Sequence, residues 1–112
     1  IPVFPADEMM APYWHLAGAS GITTGLCLLA QDHSQKQWAA CEAGNYPESM
    51  RYRDLLRPLR LLRTEYGNAL LKAGLEMQGL AGGPMRSQTP RVLDTEGRRR
   101  LRAELEKLEL LT

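Results

Sequence analysis

Two small clusters in this chain could do chemistry. Asp7 and Glu8 are adjacent carboxylates that follow a short apolar stretch, Ile1 to Phe4. Such groups could accept hydrogen bonds from substrate hydroxyls or move protons. One of them could equally cap the helix that starts near Met9. Thr23, Thr24 and Gly25 end a second β-favouring run. Their hydroxyls and backbone groups could line the same mouth, or the glycine could simply allow a close approach. The other candidates are weaker. His15 sits beside Trp14 on a short helical stretch, and a packed or surface role is expected. His33 sits beside Asp32 and is expected to be solvated. Cys27 and Cys41 are the only cysteines. With two histidines they make no zinc pattern, and both are expected to be reduced, packed thiols. Lys36, Lys72 and Lys107 are the only lysines, and all three fall in helical patterns. A Schiff-base lysine needs surroundings that lower its pKa, and only Lys72, inside the apolar Leu70–Leu75 run, comes near that description. No Schiff-base lysine, metal site or cofactor site is therefore expected among these residues.

The elements that must position these clusters follow from local patterning. Val3 and Phe4 are β-favouring and bracketed by Pro2 and Pro5, so Ile1 to Phe4 reads as a short buried strand. Met9 to Leu16 reads as a short helix, with Pro12 in its first turn. Gly18 to Gly21 is a tight return, and Gly21 to Gly25 reads as a second strand. Two parallel strands joined by a helix are one slice of a β/α barrel. Parallel sheets need covered faces and neighbours, and a closed barrel takes roughly 250 residues, against 112 here. The expected fold class is therefore α/β: residues 1–30 as the last two βα units of a (β/α)₈ TIM barrel, and residues 31–112 as a helical remainder and C-terminal extension. In such a barrel, function gathers where strands end, which is where Asp7, Glu8, Thr23, Thr24 and Gly25 fall. The start at Ile1, without a methionine, suits an internal start.

Beyond Gln31 the pattern is helical. One helix is expected over Gln31 to Ala43, ended by Gly44-Asn45. Pro47 can open the next, in which Tyr52, Leu55, Leu59 and Leu62 form an apolar stripe. Pro58 should kink or divide it. Gly67-Asn68 restarts the chain, with Asn68 as a cap, and Leu70 to Met77 is apolar almost all round. Gly79 to Pro90 reads as a loop. The last helix should be capped by Asp94 or Thr95, with Leu101, Leu105 and Leu108 as its stripe. Glu96–Arg100 and Arg102–Glu106 have the spacing of helical ion pairs.

Composition narrows the function classes. The hydrophobic fraction is 44% and the charged fraction 24%, as in ordinary globular domains. The net charge of +1 gives no field favouring nucleic acid or anionic membranes. The arginines from Arg51 to Arg63 therefore read as a salt-bridged helix face, and no nucleic-acid partner is expected. The longest apolar-leaning run, Gly21 to Ala30, is about half a membrane span, so no membrane partner is expected either. With no visible leader, the expected location is cytoplasmic.

The stretch VFPADEMMAPYWHLAGASGITTGLCLLA, Val3 to Ala30, resembles the seventh and eighth βα segments of the dihydrodipicolinate synthase/N-acetylneuraminate lyase family. Glu42-Ala43-Gly44-Asn45, Leu55 to Leu59, Leu71 to Leu75 and Gly79 to Arg86 resemble that family's later motifs, in order. The resemblance implies a class I aldolase, lyase or dehydratase acting on pyruvate or 2-oxo (sugar) acids. It implies a Schiff-base lysine on the sixth strand and a proton-shuttling tyrosine on the fourth, both outside this chain. It further implies that Asp7 and Glu8 match positions contacting the distal end of the substrate. Thr23, Thr24 and Gly25 match positions beside the Schiff base. The expected partners are the remaining barrel segment (six N-terminal βα units), a 2-oxo acid substrate, and further copies in a tetramer or dimer. The chain alone is expected to be inactive. The rival expectation is a non-catalytic helical module that dimerises or docks through Leu70 to Met77.

Overall fold

The computed structural model describes residues 1–86 and 91–111. The chain divides into two compact units, Ile1–Arg57 and Pro58–Thr112. The first unit begins with an extended segment that leads into a 3₁₀ turn, Glu8–Met10, and a short helix α1, Ala11–Leu16. Pro12 sits in the first turn of α1, where a missing N–H costs little. A second 3₁₀ turn, Gly25–Leu28, precedes α2, Gln31–Glu42, and α3 follows over Tyr46–Tyr66. The second unit holds the end of α3, then α4, Asn68–Met77, and α5, Thr95–Lys107. The expected loop after α4 is irregular from Gly79 to Arg86. Its remaining residues, Ser87 to Pro90, lie outside the described ones.

The two expected strands are corrected. Among the described residues no strand forms, and the βα units reduce to a single parallel bridge between Ala6 and Thr23. The Ser20 N–H donates to the Val3 carbonyl at 2.9 Å, and the Thr23 N–H donates to the Pro5 carbonyl at 2.9 Å. The register is that of a parallel pair, but too short to propagate. Pro2 and Pro5 contribute no N–H, and each segment has a neighbour on only one side. Gly25 is not the last residue of a strand, because it opens the second 3₁₀ turn. The first segment stays uncovered, with Val3 59% and Phe4 57% exposed.

The cores are leucine-based. Leu26, Leu29 and Leu56 are buried in the first unit. In the second, Leu59, Leu62, Leu70 and Leu71 are buried with Leu101, Leu105 and Leu108. The stripe expected on α3 is off by one residue: Leu56 is fully buried and Leu55 is 39% exposed. Both positions lie three or four residues from other members of the stripe, so spacing alone does not separate them. Pro58 is accommodated inside α3 without ending it. The cap before α4 also differs. Gly67, at φ +68° and ψ −153°, stands at the N-cap and Asn68 is the first helical residue. That backbone conformation is one that glycine alone adopts readily.

The last helix matches expectation more closely. Asp94 caps α5 by accepting the Gly97 N–H at 2.7 Å. Its ion pairs are not the expected ones: Glu96 pairs with Arg99 and Arg100 reaches Glu65 on α3. The Arg99 guanidinium bonded to Glu96 holds that carboxyl below its ordinary range. Arg51 and Lys36 do the same for Glu48 and Asp32. A lowered folded-state pKa stabilises the fold above the unfolded pKa, and the benefit disappears as pH falls through the lowered value. The denaturant midpoint should therefore fall slightly on acidification through about pH 4, and Glu96→Gln should flatten that dependence in a pH series of unfolding curves. A second expectation concerns Gly97. Alanine normally favours a helix interior over glycine. Here a Cβ would stand 2.6 Å from Leu93 Cδ1 and 2.8 Å from Tyr66 Cζ. Gly97→Ala should therefore destabilise by about 1–3 kcal/mol, read from urea unfolding.

Candidate functional site

The parallel bridge brings the two sequence clusters side by side. Asp7 has a positive φ of +91°, a conformation that costs about 1–3 kcal/mol and clusters at functional sites. Its carboxylate turns back to accept the Met9 N–H at 2.9 Å, which caps the first 3₁₀ turn. The capping alternative is thus the one the geometry displays for Asp7. Glu8 goes inward and is 1% exposed. Its carboxylate accepts a hydrogen bond from the Thr24 hydroxyl. The same hydroxyl oxygen accepts the Leu26 N–H at 3.2 Å, capping the second 3₁₀ turn. The Cys27 thiol donates to the Thr24 carbonyl at 2.8 Å.

The two remaining candidates sit differently. Strand-like backbone sends successive side chains to opposite sides. Thr23 is accordingly exposed while Thr24 is buried. Gly25 is half-buried in the turn. An open cavity of about 460 Å³ lies beside this cluster, lined by Thr24, Phe4, Cys27, Ser34, Trp38 and Glu42 among others. Of the five candidates only Thr24 lines it; Asp7, Glu8, Thr23 and Gly25 do not.

One member of the cluster was not singled out from the sequence. Gln37 of α2 is fully buried, and its amide donates to the Glu8 main-chain carbonyl at 2.7 Å. The signal available was a glutamine in the middle of a mostly exposed polar run, which patterning alone does not distinguish from a surface residue. His15 is a packing residue, with Nδ1 2.9 Å from the Tyr46 hydroxyl and its ring edge-on to Trp38. His33 is not solvated as expected: it is half-buried with its ring against Tyr52. The cysteines are free, and Cys41 lies 3.0 Å from the Ser49 hydroxyl. Among the described residues no cluster of His, Cys, Asp and Glu could hold a metal ion, and no helix is long and apolar enough to cross a membrane.

The lysines are all occupied elsewhere. Lys72 donates to the carbonyls of Gly82 and Pro84 at 3.2 and 2.9 Å. Lys36 pairs with Asp32, and Lys107 with Glu104.

No protein-family model matches this chain, and no curated protein does. Solved structures do. A protein assigned as a dihydrodipicolinate synthetase, from Pseudomonas aeruginosa, is 27% identical with a TM-score of 0.85 over 96% of this chain. The dihydrodipicolinate synthase from Oceanobacillus iheyensis is 27% identical with a TM-score of 0.80 over 91%. The chain is similar to dihydrodipicolinate synthases over nearly its whole length. It spans only 37% and 35% of the lengths of those two proteins. The synthase from Thermotoga maritima, at 22% identity and a TM-score of 0.85, shares the fold over 98% of this chain and 37% of its own. The kinship is therefore with part of a TIM barrel.

The Glu8–Thr24 pair yields a stability prediction. Thr24→Val removes the hydroxyl from a buried carboxylate and the acceptor from the Leu26 N–H. It should cost about 1–3 kcal/mol, whereas Thr24→Ser, which keeps the hydroxyl, should cost less. Equilibrium unfolding of both variants checks the difference.

Proposed function

We propose that this chain supplies the last two βα units and the C-terminal helical extension of a Schiff-base-forming class I aldolase, lyase or dehydratase. Its substrate class would be pyruvate or another 2-oxo acid. The observation that carries this reading is the match to dihydrodipicolinate synthases along nearly all of this chain but little more than a third of theirs. The disposition of the lysines supports it. A class I aldolase needs an unprotonated, accessible amine, and Lys36, Lys72 and Lys107 are each engaged in ion pairs or hydrogen bonds, with none among the residues lining the Thr24 cavity. The reactive lysine and the proton-shuttling tyrosine would then come from the remaining barrel segment, and this chain alone would be inactive. The uncovered Val3 and Phe4, with one side of the parallel pair open, offer a surface on which that segment would pack.

Within this reading Thr24 faces the substrate cavity, and Thr23 and Gly25 shape the mouth beside it. Asp7 holds the turn. Glu8, buried and hydrogen-bonded, serves Thr24 more directly than it serves a distal substrate group. The assembled enzyme would be a cytoplasmic homo-oligomer, a dimer or a tetramer. The rival reading, a helical docking module, is less favoured because Leu70, Leu71, Ala73 and Gly74 are already buried within their own unit.

The test is pyruvate with borohydride, followed by intact-mass analysis under denaturing conditions. The expected result is a reduced pyruvate adduct on a polypeptide other than these 112 residues, or on a segment outside them within a longer chain. An adduct on Lys36, Lys72 or Lys107, or none on any polypeptide of an active preparation, would overturn the proposal.

A further inference from the structure

Gln37 is the buried residue whose chemistry the fold least requires. It lies in the middle of α2 with no exposure, although five of the six residues from Gln31 to Lys36 are exposed or half-buried. Its Nε2 donates to the Glu8 carbonyl, while its Oε1 is buried without a hydrogen-bond partner among the described residues. One amide group therefore makes a favourable bond and bears an unfavourable burial together, and the two contributions oppose each other. An apolar side chain of the same length would keep the packing and avoid the buried acceptor. Stability alone gives little reason for a glutamine here.

What the amide does accomplish is geometric. Glu8 follows Asp7, whose positive φ reverses the chain. The Glu8 carbonyl, in the peptide plane that follows Glu8, accepts the Ala11 N–H within the 3₁₀ turn; the Gln37 amide is a second donor that ties this plane, and with it the Glu8 side chain, to α2. The Glu8 carboxylate in turn receives the Thr24 hydroxyl, and Thr24 lines the cavity. Gln37 itself does not line it. Helix α2, the turn at Asp7-Glu8 and the segment at Thr24 are thereby joined by three consecutive polar groups.

We propose that Gln37 is a positioning residue for the substrate cavity, acting through Glu8 to set the rotamer of Thr24. This rests on the 2-oxo-acid reading above. It concerns a residue that touches neither the cavity nor the reacting atoms.

The test uses the assembled enzyme and three variants, Gln37→Met, Thr24→Val and the double variant. Pyruvate is the probe for adduct formation, and the 2-oxo acid turned over by the wild type is the probe for kinetics. Gln37→Met keeps the side chain's length and removes its donor. It should leave the thermal midpoint near that of the wild type and retain the borohydride-trapped pyruvate adduct. It should raise KM about fivefold to tenfold, the loss expected for one oriented hydrogen bond, with a smaller change in kcat. If Gln37 works through Thr24, the double variant should have the KM of Thr24→Val, with no further increase. Independent, multiplying effects, or an unchanged KM in Gln37→Met, would overturn the assignment.

The amide exchange of Leu26 provides a readout that does not need turnover, because its N–H rests on Thr24 Oγ1. Faster exchange at Leu26 in Gln37→Met, with the exchange of the α2 core unchanged, supports the clamp; unchanged exchange overturns it. If the wild type traps no pyruvate, the aldolase reading fails by itself, and the Leu26 exchange still decides the role of Gln37.

Discussion

One parallel contact, Ala6 against Thr23, brings the polar residues of the first unit together. Its two flanking backbone bonds set Val3 and Pro5 beside Ser20 and Thr23. That register points Thr24 inward and Thr23 outward. A shift of one residue would exchange them, leaving Glu8 buried without the Thr24 hydroxyl. The burial of Glu8 makes this costly, because a carboxylate taken out of water must be given hydrogen bonds. The register and the buried carboxylate thus enforce each other. The cap on the second 3₁₀ turn and the placement of Cys27 follow from the same threonine.

The second unit is held in a different way. Its stability comes from leucine burial, with each fully buried leucine worth about 1.5–3 kcal/mol relative to exposure. Its polar groups mostly serve helix ends and returns. Asp94 starts α5, Lys72 ties the loop at Gly82 and Pro84 back to α4, and Arg91 reaches the carbonyls of Thr64 and Glu65 at the end of α3. Lys72 and Arg91 also line an open cavity of about 500 Å³. In the first unit the buried polar contacts centre on Glu8, which meets Thr24 and Gln37.

Kinship with the dihydrodipicolinate synthases explains why so short a parallel pairing exists at all. A two-segment parallel pair with an open side does not form a stable sheet. It makes sense as part of a larger barrel, and the chain spans little more than a third of its solved relatives.

The sequence by itself determined the helices, since apolar spacing, Asp94, Pro12 and Pro47 act within a turn or two of where they stand. Its motifs, in order along the chain, pointed to the same synthases that its solved neighbours are. It brought the two candidate clusters near one another, because an extended segment, a short helix and a return lead their ends together. Only the tertiary structure decided which member of each cluster points inward. Leu56 rather than Leu55 faces the core, Glu8 rather than Asp7 is buried, and Thr24 rather than Thr23 meets the cavity. Adjacent residues of like chemistry have the same local propensity, and the choice between them is made by what packs against them. Gln37 was illegible for the same reason: its role depends on the Glu8 carbonyl, which is distant in sequence and adjacent only in the fold. The strands failed to form on the same principle, because a ladder is made by neighbours and no stretch of sequence can supply both sides of its own edge.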